Sequence, residues 1–419
     1  MAGTLQPCTA TFGPVRRRRE RAPAPPLIRT ILMDRRQFLH AGAVAALGLL
    51  GAPMLNLGRV RLGAAEVSTR AVDLVLEARA IDMLGLFTLD WPVLFGWQRQ
   101  PQTFGDADFR RLASSGVRVF HPAVETRAKD PYAGALRWLA GWNHLLRAQP
   151  CRLGRVEAPA DLEALPAQGR IGVVLGFQNA THFRTALDVG TFYALGQRVG
   201  QLTYNTHNRL GSGGYEETDR GLTPFGAEVV AEMNRLGMAV DVSHCGERTS
   251  REAIEASRHP VLVTHANCAA LNPGHPRCKS DEVIRRMAAT GGVMGITVVR
   301  AFVGGARPGL GDVLDHFDHV ARLVGVDHVG LGSDVDVTGL DAKTGRVRPL
   351  YAIRGLDPAT RTFQIADGML QRGWGAEATA LALGGNFRRV LGAIWHRERR
   401  TPTARELRRD PFCPLPAPG

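Results

Sequence analysis

Two histidines, His244 and His265, occupy equivalent places in the stretch Gly237 to Asn267, GMAVDVSHCGERTSREAIEASRHPVLVTHAN. Each follows a short apolar run, Met238 to Val242 and Val261 to Val263, with one polar residue between. The runs are β-branched, brief and bounded by breakers, which predicts buried parallel strands. Glu247 to Arg258 has helical composition and the length of a crossover, so the stretch reads as a β-loop-α-β unit. Both imidazoles then stand just past the carboxyl ends of neighbouring strands, the edge where parallel α/β proteins gather ligands and chemistry. Two neutral nitrogen donors aimed into one cavity make a metal pair. A strand-capping hydrogen bond is the better account of one isolated histidine. The equivalence of the two positions shifts the balance towards metal.

Elements that could carry such a pair recur along the chain. Strand signals lie at Ala80–Leu86, Val117–Val119, Ile171–Phe177 and Val199–Tyr204, then at the two runs above, at Gly292–Thr297 and at His328–Leu331. Helical patterns at Phe109–Ser115, Ala135–Leu146, Phe225–Leu236, Asp281–Thr290 and Leu314–Val324 alternate with them. Eight strands alternating with helices predict an α/β fold, a (β/α)8 TIM-type barrel, over a doubly wound sheet. Pro358–Arg372 and Ala376–Leu391 read as helices closing the outside. The polar, glycine-rich run from Asn205 to Pro224 reads as a long active-site loop.

Composition narrows the function classes. The 419 residues are 44% hydrophobic and 22% charged, as in a soluble enzyme. The net charge of +13 is unevenly spread: residues 1–65 hold ten arginines and two acids. The remainder is mildly basic and shows no basic stripe interleaved with aromatics, which argues against nucleic-acid binding. Arg35-Arg36 before the uncharged run Ala41 to Leu57, ending in small residues, reads as a twin-arginine export signal, hence a periplasmic or exported protein. The run is too short and Gly/Ala-rich for a permanent membrane span, and no cysteine ends it to take a lipid anchor. The expected organisation is therefore 1–32 as a disordered or non-native extension with translation starting at Met33, 33–65 as the signal, 66–400 as the barrel and 401–419 as an extended tail. The six cysteines form no CxxC pair, and a dense disulfide framework is not expected. Cys245 and Cys268, each close behind a key histidine, are the first pair expected to form a bridge or to add a thiolate ligand.

Four long motifs together resemble the membrane (renal) dipeptidase family of metal-dependent, amidohydrolase-type barrels: GLTPFGAEVVAEMNRLGMAVDVSHC, PVLVTHANCAALNPGHPRCKSDE, VDHVGLGSDVD and GGNFRRVL. Their order and spacing carry the resemblance across Ile81 to Leu391. It implies that His244 and His265 bind the second metal of the family's pair. It implies that Arg277 grips the substrate's C-terminal carboxylate, as a planar guanidinium does well. Asp334 matches the aspartate that exchanges a proton with the attacking water and the leaving amine. Tyr204 falls where some members place a histidine that polarises the scissile carbonyl, and His207 is the nearby substitute.

Two ligand positions depart from the pattern. The first strand of an active member ends DGHND, whereas this chain reads Asp82-Met83-Leu84-Gly85-Leu86, with leucine at both ligand positions. No histidine occurs between His40 and His121 to rescue them. Gln178 stands where the family carries a bridging glutamate, and a neutral amide is the poorer ligand. His182 is the neighbour that would compensate. The expectation is zero or one zinc per chain, held by His244, His265 and weakly by Gln178. The partner is a small peptide-like substrate, with a homodimer as a candidate assembly. Two functions follow: an exported metallohydrolase cleaving a dipeptide or similar amide, or a catalytically inactive barrel that binds a peptide-like ligand or assists a partner enzyme.

Overall fold

A computed structural model gives the fold and describes residues 58–126 and 128–395. Short Val- and Gly-rich runs form parallel strands buried on both faces. Six of them, Leu175–Phe177, Gln197–Gln201, Ala239–Asp241, Leu262–Ala266, Val293–Ile296 and Val329–Leu331, pair in that order in one sheet. A second parallel sheet runs Ala80–Asp82, Val117–Phe120, Ile171–Val173, Leu153–Arg155. Gly85–Leu86 pairs with Val335–Asp336. The sheets are not independent. The chain from Ile171 to Phe177 serves both, and Val174 N–H donates to Phe120 O at 2.9 Å between its two halves. On the other side Met83 N–H donates to Leu331 O at 2.9 Å. The result is an α/β fold of the amidohydrolase type, with strands alternating with helices packed outside.

Local chemistry sets the boundaries of the helices that matter for the site. Thr223 caps the helix Pro224–Leu236, its hydroxyl accepting from Gly226 N–H, with Pro224 pre-set at the first helical position. Gly237 ends that helix at φ 76°, a left-handed conformation that glycine adopts without a Cβ clash, and the strand Ala239–Asp241 follows at once. Ser280 caps Asp281–Ala289 in the same way as Thr223. Asp90 caps Trp91–Arg99, accepting from Val93 N–H, with Pro92 in the first turn. This last helix and the strand Leu153–Arg155 are absent from the pattern-based expectation. The density of aromatics in WPVLFGW hides the helical period, although Asp90 and Pro92 are a legible start signal.

Other expectations need correction. Arg59–Leu62 and Ala65–Ser68 form an antiparallel hairpin, and Leu62 and Val67 are buried in one cluster with Val72 and Phe363. The boundary drawn at 65/66 cuts through this hairpin, so the folded part begins before it. The single helix anticipated over Ala376–Leu391 breaks into Ala376–Ala380 and Asn386–Ile394 around a wide turn. The break lets Gly384 press onto the first strand, where an added Cβ would lie 3.0 Å from Ile81 N. Cys245 and Cys268 are both free and buried, while Cys151 is disulfide-bonded. Residues 1–32, the Arg35-Arg36 signal and the 401–419 tail lie outside the described residues.

One buried ion pair ties the ends of the strand series together. Asp82, fully buried on the first strand, accepts from Ser333 N–H at 2.8 Å and from the Ser333 hydroxyl at the end of the last. Its other neighbour is Arg361, whose Nη2 lies 3.2 Å away with neither side chain exposed. Arg361→Leu leaves that buried carboxylate without its counter-charge and is expected to cost roughly 3–5 kcal/mol in urea unfolding. Adding Asp82→Asn should return much of the loss. A single-variant cost below about 1 kcal/mol would show that the pair does not hold the strands.

Candidate active site

The two key histidines are held by a single carboxylate between them. Asp241 ends the fifth strand of the series and is buried. Its Oδ1 accepts from Ser243 N–H at 2.9 Å, the Ser243 hydroxyl at 2.6 Å and Thr264 N–H at 3.1 Å. Its Oδ2 accepts from the Thr264 hydroxyl at 2.7 Å. Both hydroxyl hydrogens are thereby spent, so the two hydroxyl oxygens can only accept. Ser243 Oγ takes His265 N–H at 3.1 Å, and Thr264 Oγ1 takes the His265 Nδ1 hydrogen at 2.9 Å. His244 Nδ1 donates to Asn205 Oδ1 at 2.8 Å. With both Nδ1 atoms carrying hydrogen, both Nε2 atoms present lone pairs. They face each other at 3.0 Å.

Two lone pairs at that distance repel unless a proton or a cation lies between them. A proton is disfavoured. Burial pushes both imidazoles well below the ordinary histidine range, and the Arg277 and Lys279 charges push them further. Two nitrogens on one tetrahedral zinc, each about 2.0–2.1 Å from it, stand about 3.3 Å apart, close to the observed separation. The pair therefore fits two positions of a zinc site. Among the described residues, no group of three or more His, Cys, Asp or Glu side chains comes together to complete one.

The remaining machinery frames a mouth beside the pair. Gly332 allows the last strand to come against Thr264, where an added Cβ would sit 1.9 Å from Thr264 O. Two residues on, Asp334 adopts φ 59°, unusual for a residue with a side chain, and its N–H donates to Leu84 O at 2.8 Å. Its carboxyl is pushed up to about 7, chiefly by burial and also by the Asp82 charge, against the pull of Arg277. Arg277 is buried. Its Nη1 donates to Ser243 O and its Nη2 to His265 O at 3.0 Å, while Nε has no partner. The fork expected to face a carboxylate is thus partly spent on the two histidine loops. Tyr204 stacks on His244 with ring centroids 4.1 Å apart. Gln178 donates from Nε2 to Ala123 O at 3.0 Å. Asp334, Gln178, Tyr204 and Leu86 line one cavity of about 710 Å³, whereas Leu84 is fully buried behind it.

Two residues named from the sequence are elsewhere. His207 is outside the mouth: its ring is 73% exposed and lies 3.4 Å from Glu216, because the chain turns away at Asn205, φ 25°. His182 is a core histidine, packed on Phe177, Phe183 and Phe192 and bonded through Nε2 to Gln197 Oε1 at 3.1 Å. Burial drives it down to about 4, and it offers nothing to Gln178. Conversely, His121, just beyond the strand Val117–Phe120, carries a signal that the sequence reading does not use. It is buried in the interior, with Nδ1 on Met83 O at 2.8 Å and Nε2 without a partner. Its place just past a strand is the same signal that marks His244 and His265.

Similar proteins share this frame. The chain is 36% identical over 183 residues to an uncharacterized dipeptidase of Schizosaccharomyces pombe, covering 42% of this chain and 44% of that protein. It spans about half the length of the curated relatives it matches. Among solved structures, an amidohydrolase from Pseudomonas aeruginosa is 28% identical with a TM-score of 0.65, covering 78% of this chain and 99% of that one. A metallo peptidase from Rhodobacter sphaeroides, solved with a phosphinate mimic of L-Ala-D-Ala, shares the fold at 22% identity and a TM-score of 0.61, covering 75% of this chain and 99% of that one. The sequence profile of the membrane dipeptidase family, peptidase family M19, matches residues 84–405, and the chain belongs to that family, with a degenerate metal site.

Proposed function

We propose that this chain hydrolyses the amide bond of a dipeptide or similar small substrate with a free carboxylate, using no more than one zinc ion. The observation that carries the reading is the His244–His265 pair, whose Nε2 lone pairs converge at 3.0 Å while their outer nitrogens are held. His244 and His265 would hold the ion, with the Gln178 carbonyl as the weak third donor. Zinc, when bound, supplies Lewis-acid polarisation of a reacting oxygen. Everything else falls to the protein. Asp334, poised near neutrality, takes a proton from the attacking water and returns it to the leaving amine. Arg277 offers its unpaired Nε–H to the substrate carboxylate. Tyr204, placed by its stack on His244, donates to the scissile carbonyl. We read the eight strands as closing into a (β/α)8 barrel around this mouth. Hydrogen bonds between the first and last strands, Met83 to Leu331 and Asp334 to Leu84, support that closure.

Among the described residues no third ionisable side chain joins the pair, which favours the second reading, a barrel that binds a peptide-like molecule without cutting it. Assay of the full chain with zinc on a dipeptide panel separates the two. Under the hydrolase reading free amino acids appear, and Asp334→Asn lowers kcat by about 10²–10⁴-fold. Binding of a panel dipeptide without release of amino acids would establish the non-catalytic barrel instead.

Metal content is a separate prediction. Titration of the chelator-treated chain by calorimetry should saturate at no more than one zinc. Gln178→Glu should tighten it by about tenfold, since a carboxylate adds charge at the ion. Two tightly held ions would contradict the loss of ligands at Leu84 and Leu86.

Export by the twin-arginine route, to the periplasm, is proposed from Arg35-Arg36 and the apolar run after it. Changing both arginines to lysine should leave folded protein in the cytoplasm. Undiminished export of that variant would rule the route out.

A further inference from the structure

The cavity at the mouth is far more than a slot for two small residues. Its volume of about 710 Å³ falls among pockets of about 300–1,000 Å³ that enclose drug-sized ligands. From Asp334, Gln178 and Tyr204 it extends along Leu86 to an aromatic wall made by the helices Trp91–Arg99 and Pro131–Ala148. Trp91 stacks with Phe95, centroids 6.2 Å apart, and meets Trp138 edge-on at 6.5 Å. Trp91 and Phe95 are 38% and 41% exposed, unusually so for aromatics in a structured wall. Exposed aromatic surface of this kind is retained where a ligand covers it.

The charges of the wall point to what the ligand carries. Arg99 and Arg137, one from each helix, line the same cavity and are exposed. Neither forms an ion pair or side-chain hydrogen bond among the described residues. The acid on this side, Glu125, already accepts from Asn179 Nδ2 at 3.1 Å. Arg277, assigned above to the C-terminal carboxylate, is not part of this lining. The compartment therefore faces the other side of the scissile amide.

We propose that the amino-side portion of the substrate is an extended aromatic group ending in a carboxylate, stacked on Trp91 and held at its far end by Arg99 and Arg137. The assignment of this compartment to the substrate's amino side rests on the hydrolase reading, whereas the affinity of the wall for aromatic carboxylates does not.

The test uses the full chain and three probes: naphthalene-2-carboxylate, 2-naphthylmethanol and acetate, with binding read by tryptophan quenching and calorimetry. Naphthalene-2-carboxylate should bind tightest and acetate weakest. Trp91→Ala should weaken both aromatic probes by about threefold to tenfold. The double change Arg99→Gln with Arg137→Gln should weaken the carboxylate about tenfold and leave 2-naphthylmethanol within about twofold. All three side chains are exposed, and unchanged melting of the variants verifies that the fold is intact. Equal affinity for acetate and naphthalene-2-carboxylate, or indifference to either variant, overturns the proposal. Failure of dipeptide turnover with these affinities intact removes the hydrolase reading alone, and turnover without them removes the compartment alone.

Discussion

The site depends on one buried carboxylate. Asp241 satisfies four donors, from Ser243 and Thr264, and through them decides which nitrogen of His265 carries hydrogen. Burying an ionised group is costly unless hydrogen bonds replace its water, and here every bond comes from the two segments that bear the histidines. The same network that makes the charge tolerable therefore fixes the relative position of the two imidazoles. Arg277 extends it, since its guanidinium is anchored on the carbonyls of Ser243 and His265. A substrate carboxylate that engages Arg277 would thus sense those segments directly.

Apolar side chains occupy one flank of the mouth. Leu84 is fully buried and Leu86 is part of the cavity wall, and neither side chain carries a lone pair. That flank carries no charge, whereas the other bears Asp334, with its carboxyl near neutrality. Through Leu86 the mouth is continuous with the Trp91, Phe95 and Trp138 wall.

Much of the architecture was readable because parallel strands and crossover helices leave strong local marks. The Met238–Val242 and Val261–Val263 runs fold as the strands Ala239–Asp241 and Leu262–Ala266, and their histidines meet. Elements whose marks are weak were not readable. Trp91–Arg99 carries aromatics on several faces and so lacks a clean period, and the hairpin before residue 69 sits in a stretch whose composition resembles a leader.

Sequence by itself determined the family, most of the strand–helix order and the pairing of the two histidines, because residue types at fixed spacing decide which lone pairs exist. Tertiary structure decided which of those residues work together. His207 and His182 are as near in sequence as true partners would be, yet one turns to solvent at Asn205 and the other into an aromatic core. Asp82 and Arg361, 279 residues apart, meet only because the first and last strands are neighbours. Direction and burial of a side chain come from the packing of distant segments, and no local spacing encodes them.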